Sequence, residues 1–511
     1  MTITRYDVVS KKGFSYLEKS LTSQLPTHRE ENHRFSRYFL DTLDWRLYAK
    51  RFYLIAERST DEYVLKLFSL DQTDLVTQYC CTSLPTTVST LGTGKLAAIL
   101  TPILKERALL PHIELNVTQK LFLIQDRNEK TRAEVSLECE RLIASNIDKV
   151  QSYCQLSVKE FRGYKEKLFI NKQRIFKPSN QASIAAWLER SAINTHRFIT
   201  PKVKLKTEMR ADEAAKCILQ SFLHDIRVNT EVVIADIDVE CLHEFRVAVR
   251  RTRSFLTQVP DIFTKRTLEK FKGEFSALSD VTGPARDLDV MLLELDDYLG
   301  LLPDTLQQVD FQPLRMFIQK KRTDAYITLT KYLQSAKFQR LLVQWEAFLK
   351  APVPYRTSLV NANLPVNDVA NKCIWKTYKK LLKRGDKITN QSDDEALHEL
   401  RKLGKKLRYL IEFFSSLHSK RDIKEVIKTL KVLQDNLGEF QDVHVHQLLF
   451  ADLQTQMQQT GELSGAENEA LNELQKVLRT KHQQCRAAFY KTFATFSDDR
   501  HQQIFIKLYK S

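Results

Sequence analysis

Two stretches of the chain set a histidine ahead of cations at helical spacing: LHEFRVAVRRTR at 242–253 and LHELRKLGKKLR at 397–408. At about 100° per residue, His243, Arg246, Arg250 and Arg253 fall within an arc of roughly 80°, with Phe245, Val249 and Leu256 beside it on the core side. The second copy puts His398, Arg401, Lys405 and Arg408 on the corresponding arc, with Leu400, Leu407 and Ile411 toward the core. Arg251 and Lys406 widen the two charged faces. Cations on successive turns of one helix repel each other unless an anion runs alongside. Arginine offers a planar fork to phosphate oxygens, lysine a mobile point charge and histidine a further donor. The residue types and their spacing therefore point to a long polyanion such as a phosphate chain, lying across two halves of one surface.

A basic run on a helix is most often a solvated face, so the register of the repeat decides. His243 and His398 are 155 positions apart, and so are Gly283 in LSDVTGPARDLDV (278–290) and Gly438 in LQDNLGEFQDVHV (433–445). A solvated face has no need to keep two separate motifs in one register; an internal duplication of several helices does. Ser392 and Glu395 have capping-box spacing, which predicts a helix starting just before His398. Arg286 and Asp287 read as a helix-start cap with a phosphate-facing or structurally paired arginine. A catalytic or metal role with Asp289 is the weaker reading, because Gln441 replaces Arg286 in the second copy. The cationic arcs hold essentially no aromatic residue apart from Tyr409, which disfavours single-stranded nucleic acid as the ligand.

The rest of the chain must position these faces. Its 511 residues carry a net charge of +16, with 30 basic against 22 acidic side chains in 1–200 and 49 against 41 in 201–511. The basic excess suggests an anionic partner without locating it. At 43% hydrophobic and 28% charged, the composition is that of a folded globular chain with room for several cores. No apolar run reaches the roughly 20 residues that span a bilayer, and MTITRYDVVSKKGF lacks the order of a secretory signal, so a cytoplasmic protein off the membrane is expected. The eight cysteines show no metal spacing and read as small buried thiols. Residues 1–200 read as α+β, with strand-like RFYLIAER (51–58), YVLKLFSL (63–70), KLFLIQDR (120–127) and RAEVSLECE (132–140), and a helix in 91–107. Residues 205–511 read as all-α, in halves 205–350 and 369–511 joined by a Pro- and Asn-containing linker, 351–368.

At the paired motifs, LHEFRVAVRRTR with GPARDLDV and LHELRKLGKKLRYLIEFF with LKVLQDNLGEFQDVHV, the sequence resembles the CHAD family of conserved-histidine α-helical domains. The resemblance implies two pseudo-symmetric four-helix bundles whose basic surface binds inorganic polyphosphate, often at polyphosphate granules, with no cofactor, metal or catalytic residue. The ligand would be held by His243, Arg246, Arg250, Arg251, Arg253 and Arg286, and by His398, Arg401, Lys405, Lys406, Arg408 and Lys431. Residues 38–66, YFLDTLDWRLYAKRFYLIAER followed by YVLKL, are similar to a CYTH domain, the antiparallel β triphosphate-tunnel fold. On that likeness Arg58 and Lys66 point into a tunnel. The family's opening ExExK strand falls on TITRY, where Thr2, Thr4 and Tyr6 replace two glutamates and a lysine. Gln155 and Ser157 stand where acids are needed, with Glu160 off their alternation, while Glu134 and Glu138 retain partial metal-binding capacity. Hard divalent cations need clustered carboxylates. The expectation is thus a degenerate CYTH-like domain before a polyphosphate binder. A metal-dependent tripolyphosphate hydrolase and a generic nucleic-acid binder are the alternatives, and a homo-oligomer is compatible with the sequence.

Overall fold

The computed structural model describes residues 2–8, 14–23, 25, 28–58, 60–71, 75–126, 128–143, 152–161, 176–178, 183–190 and 193–510. The chain divides into two compact units, 1–199 and 200–511.

In the first unit, β1 (Thr2–Val8), β2 (His28–Asp41), β3 (Phe52–Arg58), β4 (Tyr63–Ser69), β5 (Leu75–Cys81), β6 (Leu110–Gln125), β7 (Thr131–Leu142), β8 (Ser152–Glu160) and β9 (Phe176–Pro178) form one sheet. Its order is β5-β4-β3-β2-β6-β7-β8-β1-β9, with antiparallel neighbours. Four helices accompany it: α1 (Phe14–Thr22), α2 (Arg46–Ala49), α3 (Lys95–Leu104) and α4 (Ser183–Arg190). Strand side chains alternate between faces. One face is apolar: Leu54, Ala56, Leu65 and Leu67 pack on Leu96 and Leu100 of α3, and Phe122, Val135 and Leu137 pack on Leu17 and Leu21 of α1. On the other face, apolar Tyr53, Ile55 and Leu115 meet Trp187 of α4 and surround a polar cluster centred on Arg37.

Arg37 Nη1 donates to Glu138 at 2.9 Å and to Glu140 at 2.5 Å, and its Nε donates to Glu57 at 2.9 Å. Lys66 Nζ donates to the other Glu57 oxygen at 2.5 Å, and Trp187 Nε1 donates to Glu140 at 2.5 Å. Burial opposes the charge on Arg37, yet Glu138, Glu57 and Glu140 together hold it well above the ordinary guanidinium range. Burial likewise opposes ionisation of Glu57, but Arg37 and Lys66 keep its carboxyl below the usual range.

The register corrects two expectations, because a one-residue change of frame turns every side chain to the other face. Lys66 lies opposite Ile55, on the Glu57 face, whereas Arg58 lies opposite Tyr63 on the other face and is exposed. On β1, Arg5 and Asp7 lie opposite Ser157 and Gln155, on the Arg37 face. Tyr6 instead sits in the apolar core with Leu17 and Phe122, so Thr4 and Tyr6 do not face inward; the side chain of Thr2 lies outside the described residues. Glu138 reaches the cluster, while Glu134 faces Lys159 at 3.5 Å. The thiols are corrected too: Cys139 and Cys154 lie directly opposite on β7 and β8 and form a disulfide, and Cys80 is exposed. Strand pairing brings together two cysteines whose spacing in sequence carries no such signal.

In the second unit the duplication is visible in the helix starts. Helices α5 (Ala211–Ile234), α6 (Val239–Gln258) and α7 (Lys265–Leu299) recur 155 residues later as α11 (Val366–Gly385), α12 (Asp394–Phe413) and α13 (Lys420–Thr460). The one-turn α8 (Asp304–Gln307), α9 (Gln312–Leu333) and α10 (Ala336–Lys350) complete the first half; α14 (Gly465–Phe496) and α15 (Asp499–Tyr509) complete the second. Each half is thus a pack of four long helices closed by a shorter one. The matched starts have matched caps. Asp238 accepts from Cys241 N and Asp393 from Ala396 N, both at 2.9 Å, while Thr264 and Ser419 cap α7 and α13. Each such cap is worth about 1 kcal/mol.

Asp393 therefore caps α12, one residue beyond the expected Ser392, whose hydroxyl accepts from Thr389 N at 2.9 Å instead. Nor does GPARDLDV start a helix: Gly283 and Pro284 lie inside α7, and Asp289 is fully buried, accepting from Arg322 Nε at 2.6 Å and Tyr326 OH at 2.9 Å. Phe245, Val249, Leu400, Leu407 and Ile411 are buried to 0% exposure, and at roughly 1.5–3 kcal/mol for each large apolar side chain they fix the rotation of both motif helices. The two halves interlock where the linker returns: Ala211 N donates to Leu364 O at 3.0 Å and Val366 N to Met209 O at 2.8 Å.

Removing one member of a buried ionic cluster leaves its partners uncompensated. Arg37→Met is expected to cost about 3–5 kcal/mol on that ground. Thermal melts followed by circular dichroism check this, and an unchanged melting temperature would show that the cluster is dispensable.

Candidate functional site

Helices α6 and α12 pack against each other, so their charged faces open into one cavity of about 640 Å³. From α6 it receives His243, Arg250 and Arg251; from α12 it receives Arg401, Lys405 and Arg408. Lys481 of α14 adds a cation, while Glu294 of α7 and Asp435, Glu439 and Asp442 of α13 form an acidic opposite wall. Two motifs 155 residues apart in sequence thus share one space.

Crowded cations need partners or they lose charge. Glu412 of α12 takes Arg251 from the other half at 2.9 Å and Arg408 from its own helix at 2.7 Å. Arg401 donates to Asp442 at 3.0 Å. Arg250 lies over the Tyr409 ring at 5.9 Å, a cation–π contact across the two halves. For Lys405, no carboxylate lies within ion-pairing distance among the described residues. Burial first, and then the neighbouring charges of Arg401, Arg250 and Arg408, bring its pKa down to about 8, with Asp442 opposing the shift.

The other expected residues lie elsewhere. Arg246 is turned onto α7, donating to Ser279 O at 3.0 Å and Thr282 Oγ1 at 2.7 Å; it is a half-buried anchor, not a surface charge. A side chain at Gly283 would begin 3.7 Å from its Nη1, an ordinary contact distance, so a methyl group fits beside this arginine. Arg253 reaches Ser276 Oγ at 3.3 Å, and Arg286 holds Val239 O at the start of α6 at 3.1 Å. His398 bonds Gln441, the residue that replaces Arg286 in the repeat. Lys406 and Lys431 are exposed outside the cavity. The helical-wheel arc thus divides, because Arg246 and Arg253 lean toward α7 while Arg250 and Arg251 look across to α12.

Glu412, Lys481 and the acidic wall did not emerge from the motifs. Glu412 had a signal, since it stands four residues after Arg408 on the same helix. Lys481 had none, because only the packing of α14 against α13 brings it to the cavity.

Residues 217–451 match the CHAD domain family. Residues 217–451 of the helical unit are a CHAD domain. Among relatives, an uncharacterized protein of Mycobacterium tuberculosis is 27% identical over 207 residues, which are 40% of this chain and 38% of that protein. The solved CHAD domain from the plant Ricinus communis is 25% identical, covering 58% of this chain and 94% of that one with a TM-score of 0.47. A Hippeastrum protein with a dominant triphosphatase activity covers 38% of this chain and 96% of its own, at 13% identity and a TM-score of 0.26. Among the described residues, no helix is long and apolar enough to cross a membrane.

The lowered pKa of Lys405 in the CHAD domain has a signed consequence. An anion in the cavity favours the ammonium form, so binding takes up a proton above about pH 8. The affinity of any anion held there is expected to fall as the pH rises from about 7.5 to 9.5, by at most about tenfold per unit, and Lys405→Met should flatten that slope. Titrations at several pH values check this; a slope unchanged in the variant would assign the titration to another group.

Proposed function

We propose that the CHAD domain binds inorganic polyphosphate, one chain engaging both halves, without turning it over. The observation that carries this reading is the shared cavity, in which Arg250 and Arg251 of one half face Arg401, Lys405 and Arg408 of the other. A ligand with closely spaced negative charges satisfies all of them at once, and arginine forks suit phosphate oxygens. Nucleic acid fits less well. Of the cavity's aromatic residues, Tyr298 is buried against His446 and Tyr409 lies beneath Arg250, so neither offers an open face for base stacking. A hydrolase reading through the β unit draws no support from its polar face, where Arg37 and Lys66 already engage Glu57, Glu138 and Glu140.

Gly438 allows a test that leaves every charge in place. It lines the cavity from inside α13, and nothing lies within 4 Å of where its Cβ would stand. Gly438→Leu should keep the fold or stabilise it by up to about 1 kcal/mol, since glycine is a poor helix former. It should also weaken long-chain polyphosphate binding at least tenfold by filling the cavity. Affinity is measured over a salt series against single-stranded DNA, with released phosphate assayed in the same samples. Unchanged polyphosphate affinity in the folded variant, equal affinity for DNA, or phosphate release would each contradict the reading.

A further inference from the structure

Resting on that reading, we infer that Glu412 is an internal stand-in for a ligand phosphate, which the polymer must displace and which makes the site discriminate against small anions. Both carboxylate oxygens are engaged, one by Arg251 of the opposite half at 2.9 Å and one by Arg408 at 2.7 Å. A carboxylate bridging two arginines presents the oxygens that a phosphate would present. Two further observations show that local structure does not require it. Glu412 lies in the last turn of α12, where the helix dipole disfavours a negative side chain. The position equivalent to it in the first half, 155 residues earlier, is Thr257, whose hydroxyl donates to Arg253 O at 2.7 Å. The first half folds with a neutral residue at this point of the motif helix, and there Arg253, the counterpart of Arg408, contacts Ser276 instead of a carboxylate.

The consequence is a matter of effective concentration. A carboxylate tethered beside two arginines competes far better than a free anion of the same charge, so a single orthophosphate displaces it poorly. A polymer gains enough elsewhere, at Lys405, Arg250 and Arg401, to release it. Glu412 thereby sets the minimum number of linked phosphates that binds.

Glu412→Gln keeps the size of the side chain and removes its charge; Glu412→Thr copies the first half and serves if the glutamine variant does not fold. Each is titrated with long-chain polyphosphate and with orthophosphate, alongside the wild-type chain and Arg250→Glu. The expected result is polyphosphate affinity higher by about two- to fivefold, the size expected when a partly exposed pair no longer competes. The slope of log affinity against log salt should steepen by about 0.7–0.9, one further cation being available to the ligand. Orthophosphate should gain by a larger factor than polyphosphate, narrowing the discrimination. If the wild-type chain binds polyphosphate and Arg250→Glu abolishes it, but the Glu412 variants bind no more tightly or with an unchanged salt slope, then Glu412 is a structural latch and this inference fails alone. If the wild-type chain does not bind, the proposed function fails with it.

Discussion

Like charges gathered around a small cavity are the constraint on which the helical unit turns. Arg250, Arg251, Arg401, Lys405 and Arg408 converge from two helices on about 640 Å³, an arrangement that costs energy in the unliganded chain. The cost is met by distributing partners. Glu412 bridges two arginines, Asp442 takes a third and Tyr409 lies under a fourth. Lys405 is left with burial and three neighbouring cations, which lower its pKa. Such a site is poised for an anion because its own repulsion is relieved when one arrives.

Holding the cations together requires rigid helices whose rotation cannot slip. The Asp238 and Asp393 caps start the motif helices at matched positions, and the buried apolar faces of both fix which side meets the cavity. Duplication then makes the problem simpler, since one solution for a helix carrying cations on one edge and core on the other serves twice. The departures from symmetry carry the specific chemistry. Gln441 holds His398 where Arg286 holds the start of α6, and Glu412 stands where the first half has Thr257.

Much of this was legible in the sequence because helical periodicity is a local property. The 155-residue register, the halves and the core faces of LHEFRVAVRRTR and LHELRKLGKKLR follow from spacing alone. Which of the arginines share a cavity does not. Arg246 and Arg250 lie 40° apart on a helical wheel, yet one turns to α7 and the other to α12, a choice made by neighbours distant in sequence. The β unit was less legible for the same reason. The first half of β2, HREENHR, is too polar to read as a strand, and the inward set of β1 depends on pairing with β8. Arg37 gave no warning that it gathers Glu57, Glu138 and Glu140 from two other strands.

The proposed binding mode makes both halves one site. Calorimetric titration of the full chain with a short polyphosphate of defined length measures this most directly, because the stoichiometry counts sites without reference to mechanism. One polymer per chain, with binding lost equally on Arg250→Glu and on Lys405→Glu, is the predicted result. Two equivalent polymers per chain, with each substitution removing only one of them, would contradict it.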